Sequence, residues 1–392
     1  MSNKNLPGHI IKALKEREQK GALRKLKAKF PEIDFCSNDY LGFSKLGLLS
    51  AKLQIPNFKH ETSNGALNRE NKEQKTLGSG GSRLISGNSE LFEEAEKQIA
   101  LFHHGESALI FNSGYDANIG LFSSVPQKND LVLFDECIHA SIYDGIRLSH
   151  ANHFKFKHND INSLLELIGR HKNSYTNIFI AVESVYSMDG DTAPLLEIVD
   201  VCKKNENVFL IVDEAHAIGI FGKQGRGLCS ALDIENNFLA RVFTYGKAMG
   251  CHGAAIVGSN ALRNYLINFS RPFIYTTALP HHSIDAILAA YKLLIETNQS
   301  VLLKENISYF YSKINSNNKF IKSHSPIQSF IAGSNILADE LEKVLAEKNI
   351  YAKAIKSPTV KEGTERVRFC IHAFNTKKEI DLLAEVLNIF GN

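Results

Sequence analysis

No run of about 18 apolar residues occurs anywhere in this 392-residue chain, so no membrane-spanning helix is expected. The stretch from Met1 to Gln19 is polar and charged and has no apolar core, so no secretory signal is expected. Cysteine is sparse and scattered. The six (Cys36, Cys137, Cys202, Cys229, Cys251, Cys370) form no C-x-x-C pair, which argues against a metal site or a disulfide framework and for reduced thiols in a cytoplasmic protein. No Lys/Arg tract is interleaved with aromatics, and a formal net charge of +3 is too small to imply a nucleic-acid partner. That mild positive balance would still suit an anionic substrate. No internal repeat is apparent.

What is present is the composition of an ordinary globular protein, 44% hydrophobic and 22% charged, long enough for one large domain and a smaller one. Apolar positions Ile10, Ile11, Leu14, Leu23 and Leu26 predict an amphipathic helix over 7–28. The polar stretch 57–76 reads as an exposed loop. From about residue 88, helical patterns (90–103, 115–123, 139–148, 160–171, 195–204) separate short apolar runs. Those runs are Ala108–Phe111, Leu131–Phe134, Phe179–Val182, Phe209–Val212, Arg241–Thr244 and Ala254–Val257. Strands alternating with helices predict an α/β layer with a mostly parallel sheet. Beyond Pro280 comes a helix through Ile295, a polar patch at 315–318, then strands at 327–331 and 367–371 and helices at 337–348 and 377–389. That part fits a small α+β domain. The expected division is an N-terminal helix and arm (1–48), a large α/β domain (49–284) and a small domain (285–392).

Lys247 follows the run Val242–Thr244, with Gly246, Ala248 and Gly250 leaving room for a planar ring near the backbone. A buried lysine has a lowered pKa, and its neutral amine can attack a carbonyl. Alone, such a lysine is more often a surface residue. Asp213 ends the run Val208–Val212, so it should lie at the carboxyl end of a central strand, where ligands of open α/β sheets collect. It reads equally as a helix N-cap. A Schiff-base lysine and a carboxylate for a pyridinium nitrogen together suggest pyridoxal phosphate (PLP), an electron-sink cofactor. His216, three residues on, could share the pocket.

Asn112 to Asn118, with Gly114 and Tyr115, joins an apolar run to a helix, a natural cup for a phosphate. No G-K-[ST] follows, so it is not a Walker loop. An ordinary strand-to-helix turn has the same pattern. Ser187-Met188-Asp189-Gly190-Asp191 closes another strand, after Ala181–Ser184. His139 follows Leu131–Phe134 and could stack on a flat cofactor, though it also suits a helix start. Gly78 to Arg83 is not G-x-G-x-x-G in register and reads as a flexible segment near the site mouth. Arg366 and Arg368, two apart on a predicted strand, share a face. Either could fork onto a carboxylate, or the pair could form a solvated face.

Five motifs occur in an order that resembles the α-oxoamine synthases, PLP enzymes of the aspartate-aminotransferase fold (fold type I). They are Ser37–Gly42, Gly78–Gly87, Ser187–Asp191, Val212–His216 and Thr244–Lys247. The resemblance runs from about residue 10 to the end. It implies a large domain with a mostly parallel sheet, a smaller α+β C-terminal domain, and a homodimer with shared sites. It implies condensation of an amino acid, expected to be L-alanine, with an acyl thioester, expected to be pimeloyl-CoA or a pimeloyl carrier protein, with loss of CO2. Lys247 would anchor PLP, Asp213 would face its ring nitrogen and His139 would stack on its ring. Ser187, His216 and Thr244 would hold the ring hydroxyl and phosphate, with Gly114 and Tyr115 at the phosphate turn. Thr276 or Thr277 would reach the phosphate of the neighbouring subunit. Asn38 and Arg368 would meet the amino acid, and Arg24 and Thr359 the substrate. Tyr245 departs from the family's usual smaller residue or phenylalanine. Non-catalytic partner subunits of this fold tend to lack the lysine, which this chain has.

Overall fold

The computed structural model describes residues 6–19, 23, 24, 26, 28–54, 78–314, 319–321 and 323–391. The stretch 57–76 and the patch 315–318 lie outside them. In chain order the strands are β1 (Ile33–Asp34), β2 (Ser107–Phe111), β3 (Leu131–Asp135), β4 (Asn152–Phe156), β5 (Ile178–Glu183), β6 (Val208–Asp213) and β7 (Ala240–Thr244). Then come β8 (Ala254–Gly258), β9 (Phe320–Ile321), β10 (Ile327–Ile331), β11 (Ile350–Tyr351), β12 (Lys353–Ile355) and β13 (Arg366–Cys370).

Seven of them form the main sheet, in the order β2-β8-β7-β6-β5-β3-β4. The strands from β7 to β4 are parallel, and only β8 runs against its neighbours β2 and β7. Every residue of β3, β5 and β7 is buried. Strands covered by helices on both faces have no polar face to alternate with, which is why they read as continuous apolar runs. The strand β4, Asn-His-Phe-Lys-Phe, was not expected from the sequence. It is the sheet edge, exposed at four of five positions, so it has little apolar pattern.

The small sheet is antiparallel, β12-β13-β10-β9. The helix Gln299–Lys313 also escaped the sequence reading. It buries only Leu303, Ile307 and Phe310, a narrow stripe on a polar helix. The expected helix over 7–28 is shorter. It spans Gly8–Gln19, buries none of its residues, and Leu23, Arg24 and Leu26 are not helical. Gly21 lies in the expected continuation, and glycine disfavours helix by about 1 kcal/mol relative to alanine.

Backbone bonds tie the arm to the C-terminal part, and a shared core ties both to the main sheet. Strand β1 pairs in parallel with β11. Cys370 N–H donates to Phe35 O (2.7 Å) and Ala373 N–H to Tyr40 O (2.8 Å). One apolar cluster runs from Phe35 and Phe43 through Phe243 and Ile287 to Phe330 and Phe369. The expected boundary at 284/285 falls inside the helix His281–Glu296, whose buried face belongs to that cluster.

Candidate active site

The parallel strands end side by side at one edge, so their last residues converge. Thr244 closes β7, Asp213 closes β6 and Glu183 closes β5. Carboxyl ends of such strands form the crevice of open α/β sheets. A cavity of about 290 Å³ opens there. Its walls include Gly114, Tyr115, His139, Asp213, Thr244 and Lys247, which the sequence singled out. Asn38 enters from the arm. A wider polar hollow of about 820 Å³ lies elsewhere, lined by Lys128, Asn129, His150 and Thr176, with none of these site groups.

Lys247 sits on the loop that returns from β7 to β8. Gly250 makes that return possible: its φ is +62°, and an added Cβ would lie 2.7 Å from Ser44 N. Burial lowers the pKa of Lys247, with Asp213 and Glu183 pulling the other way. Asp213 accepts from Ala215 N–H (2.9 Å) and from the Asn118 amide (2.8 Å). The same amide reaches Ser141 Oγ (3.0 Å), and Ser141 Oγ lies 2.7 Å from His139 Nδ1. His139 is also the N-cap of the helix Ala140–Leu148, accepting from Ser141 N–H. Burial lowers its pKa, opposed by Asp213. With Nδ1 accepting, the neutral ring carries its proton on Nε2.

The Gly114 turn opens the helix Gly114–Ser124, capped by Ser113. A Cβ on Gly114 would come within 2.4 Å of Thr244 Cγ2, so only glycine lets the turn lie against the end of β7. Three cavity-lining atoms are buried without a partner: Asn118 Oδ1, Glu183 Oε1 and Thr244 Oγ1. Orphaned polar atoms, a half-buried amine, a carboxyl group held by two N–H donors and a helix N-terminus fit a flat, anionic, aldehyde-bearing cofactor such as PLP.

Other expected residues lie around this cavity. His216 is buried, and its Nδ1 lies 2.8 Å from Tyr40 OH; its pKa is lowered by burial and by Lys247. It does not line the cavity. Tyr40 OH donates to Asn38 Oδ1 (3.0 Å), which also accepts from Arg368 Nη2 (3.0 Å). Arg368 Nε donates to Ser187 O (2.8 Å). Ser187 thus meets Arg368 through its carbonyl and is not a cavity wall. Arg366 is diverted: its guanidinium pairs with Asp189 and donates to Thr364 O. Asn112 Nδ2 donates to Thr276 Oγ1 (3.1 Å) and Thr277 O (2.8 Å), which holds that segment outside this cavity. Arg24 and Thr359 are exposed and not among the cavity walls. The stretch Gly78–Arg83 is not loose. Ser79 Oγ donates to Ala278 O, Gly81 O accepts from Ala278 N–H, and Arg83 pairs with buried Glu96. Tyr245 is fully buried, with its hydroxyl against that of Tyr291 (3.2 Å) in the core.

Asn118 and Glu183 were missed as site residues. Both lay inside quoted segments, and their position at strand end and first helical turn was the available signal. Asp135, Cys137 and His158 lie close enough together to suggest metal ligation. Both ring nitrogens of His158 are already taken, by Asp135 (2.9 Å) and Asp191 (2.8 Å).

The fold and the lysine–carboxylate cavity define an α/β enzyme of the fold-type-I class. The chain belongs to the family described as aminotransferase class I and II, whose sequence profile matches residues 31–387. It is 40% identical to 8-amino-7-oxononanoate synthase of Emericella nidulans, covering 98% of this chain and 96% of that one. It is 34% identical to the 8-amino-7-oxononanoate synthase of Alkaliphilus oremlandii, covering 92% and 87%. Among solved structures, 8-amino-7-oxononanoate synthase of Francisella tularensis is 30% identical (TM-score 0.72, 91% and 97% covered). Serine palmitoyltransferase of Sphingomonas wittichii shares the fold, at 24% identity (TM-score 0.84, 99% and 98% covered). An SPT structure with PLP is similar too, at 25% identity (TM-score 0.82, 98% and 97% covered).

Proposed function

We propose that this chain is a PLP-dependent C-acyltransferase that joins L-alanine to a pimeloyl thioester, releasing CO2 and the free thiol and giving 8-amino-7-oxononanoate, a step of biotin synthesis. The observation that carries the reading is the half-buried Lys247 in one cavity with Asp213 at the end of β6. Relatives that match nearly the whole chain carry that enzyme's name.

Bound in the cavity, PLP would supply an electron sink for negative charge at the amino-acid Cα. Lys247 would hold the cofactor at its aldehyde carbon through Nζ, and the same Nζ, its proton affinity lowered by burial, would serve as the general base for the Cα proton. Asp213, fixed by Ala215 N–H and the Asn118 amide, faces the ring-nitrogen proton. His139 offers its ring to the cofactor ring, held by Ser141. Thr244 would serve the hydroxyl or phosphate from the cavity wall, with Gly114 and Tyr115 at the phosphate turn, and Ser187 and His216 would act from behind that wall. Arg368, aimed by Ser187 O and Asn38 Oδ1, holds the substrate carboxylate until it leaves as CO2. Asn38 lies beside the reacting centre, and Arg24 and Thr359 contact the acyl substrate.

The working unit is a homodimer in which Thr276 or Thr277 reaches the neighbouring subunit's phosphate. Among the described residues no helix is long and apolar enough to cross a membrane. A cytoplasmic location is part of the proposal. The test is a turnover screen of alanine, glycine and serine against several acyl thioesters, following thiol and CO2 release. Alanine with pimeloyl-CoA or its carrier-protein form is expected to be best. Glycine with acetyl-CoA turning over faster would overturn the substrate assignment.

A further inference from the structure

Glu183 and Asp213 are register partners on the neighbouring parallel strands β5 and β6. Each is the last residue of its strand, and both line the cavity. Partners in register send their side chains to the same face, so two carboxyl groups stand side by side at the cavity wall. Two such neighbours resist ionising together. Their surroundings divide the single charge unequally. Asp213 accepts from Ala215 N–H on one carboxyl oxygen and from the Asn118 amide on the other, so both its oxygens have donors. Glu183 is 2% exposed, and its Oε1 is buried with no partner. An anionic oxygen left without a donor in such a place costs several kcal/mol, while a protonated carboxyl avoids most of that cost.

We propose that Glu183 is a further positioning residue of this site, a carboxylic acid kept neutral so that the pair's one negative charge rests on Asp213. Burial, reinforced by Asp213, raises Glu183 to about 8. The charged or titratable groups facing it are Asp213 from β6, Lys247 from the loop after β7 and Tyr186 beyond β5, and the backbone N–H groups of His139 and Ser187 also approach it. Lys247 and those two N–H groups favour a charged Glu183, but burial and Asp213 outweigh them, and burial weakens the amine's own hold on its proton. Two consequences rest on the function proposed above. Asp213 keeps an undivided charge for a ring-nitrogen proton. A second carboxylate charge beside Lys247 would hold the ammonium form and block its use as a base.

Infrared difference spectroscopy on the full chain tests this, with PLP bound and again after PLP is removed. The expected result is the C=O stretch of a protonated carboxylic acid at neutral pH. It should be absent in Glu183→Gln and should vanish from the wild type as pH rises through about 8. Asp213→Asn, which removes the neighbouring charge, should lower that midpoint by about one pH unit or more. A wild type without the band at neutral pH, or a band that survives in Glu183→Gln, overturns the proposal. If Glu183→Gln does not fold, the wild-type titration and Asp213→Asn decide, and a midpoint unmoved by Asp213→Asn overturns it. The band needs no turnover, so a wrong substrate assignment leaves it standing. A normal turnover screen with no band defeats this inference alone.

Discussion

Lys247 is a half-buried amine whose charge is disfavoured by desolvation and favoured by two nearby carboxyl groups. Its replacement separates anchoring from solubility. Lys247→Ala should lower turnover by about 10³-fold or more, the scale of losing a general base. It should also abolish the borohydride-reducible PLP adduct found by peptide mass mapping. An adduct of full yield at another lysine would refute the assignment. Arg368 and Arg366 share a strand face but not a task, because Asp189 occupies Arg366. Arg368→Lys loses the planar fork, so KM for the amino acid should rise by about tenfold or more, with cofactor affinity little changed. A steady-state comparison in which Arg366→Lys raises KM more would reverse the roles. At this scale much of the site could be read from the sequence. Asp213 and Thr244 end their strands, Lys247 and the Gly114 turn follow theirs by three residues, and a strand end is visible in a run of apolar letters. Asn118 and Glu183 could not be read in the same way. Asn118 reaches Asp213 only because the helix Gly114–Ser124 packs over β7 and β8 next to β6, and Glu183 matters only through the β5–β6 register.

Between elements, one histidine ties the strand ends to the turn that aims Arg368. His158 bonds Asp135, the last residue of β3, through Nδ1 and Asp191 through Nε2. Asn159 repeats both links, N–H to Asp135 and Nδ2 to Asp191 (2.7 Å). Asp191 ends the turn whose Ser187 carbonyl holds Arg368. Burial opposes charge on His158, but the two carboxylates override it and raise its pKa to about 12. A folded-state pKa above the ordinary value of about 6.5 stabilises the fold fully below pH 6.5. The contribution declines as pH climbs from there toward about 12. His158→Gln should therefore lower unfolding free energy at pH 6 by about 2 kcal/mol, the scale of hydrogen bonds to charged groups. The gap from wild type should narrow by pH 9. Urea unfolding at the two pH values checks this, and a gap that widens with pH would remove the charged bridge. Elements were legible in proportion to their burial. The all-buried β3, β5 and β7 stood out, the edge strand β4 did not, and the N-terminal helix was overextended because its apolar letters face no core.

For the whole molecule, three of the exposed apolar residues fall on two segments that are bonded together. Ile85 is 87% exposed, Tyr275 72% and Leu84 52%. The two segments that carry them are bonded together, Gly81 O to Ala278 N–H and Ser79 Oγ to Ala278 O. Thr276 and Thr277 lie in the same stretch, tied to Asn112 beside the phosphate turn. Adjacent large apolar side chains left in water mark an association surface more often than chance does. In a homodimer this surface would be covered, and the threonines would be carried toward the second subunit's site. Ile85→Glu with Tyr275→Glu places two charges in that interface, where burial without a partner costs several kcal/mol. Sedimentation should then show a shift from dimer to monomer at micromolar concentration. PLP affinity should fall with it, by about tenfold or more if the partner supplies a phosphate contact. A double variant that stays dimeric would move the interface elsewhere. One that becomes monomeric yet binds PLP as tightly as the wild type would leave each site complete within its own chain, and Thr276 and Thr277 would lose their assigned role.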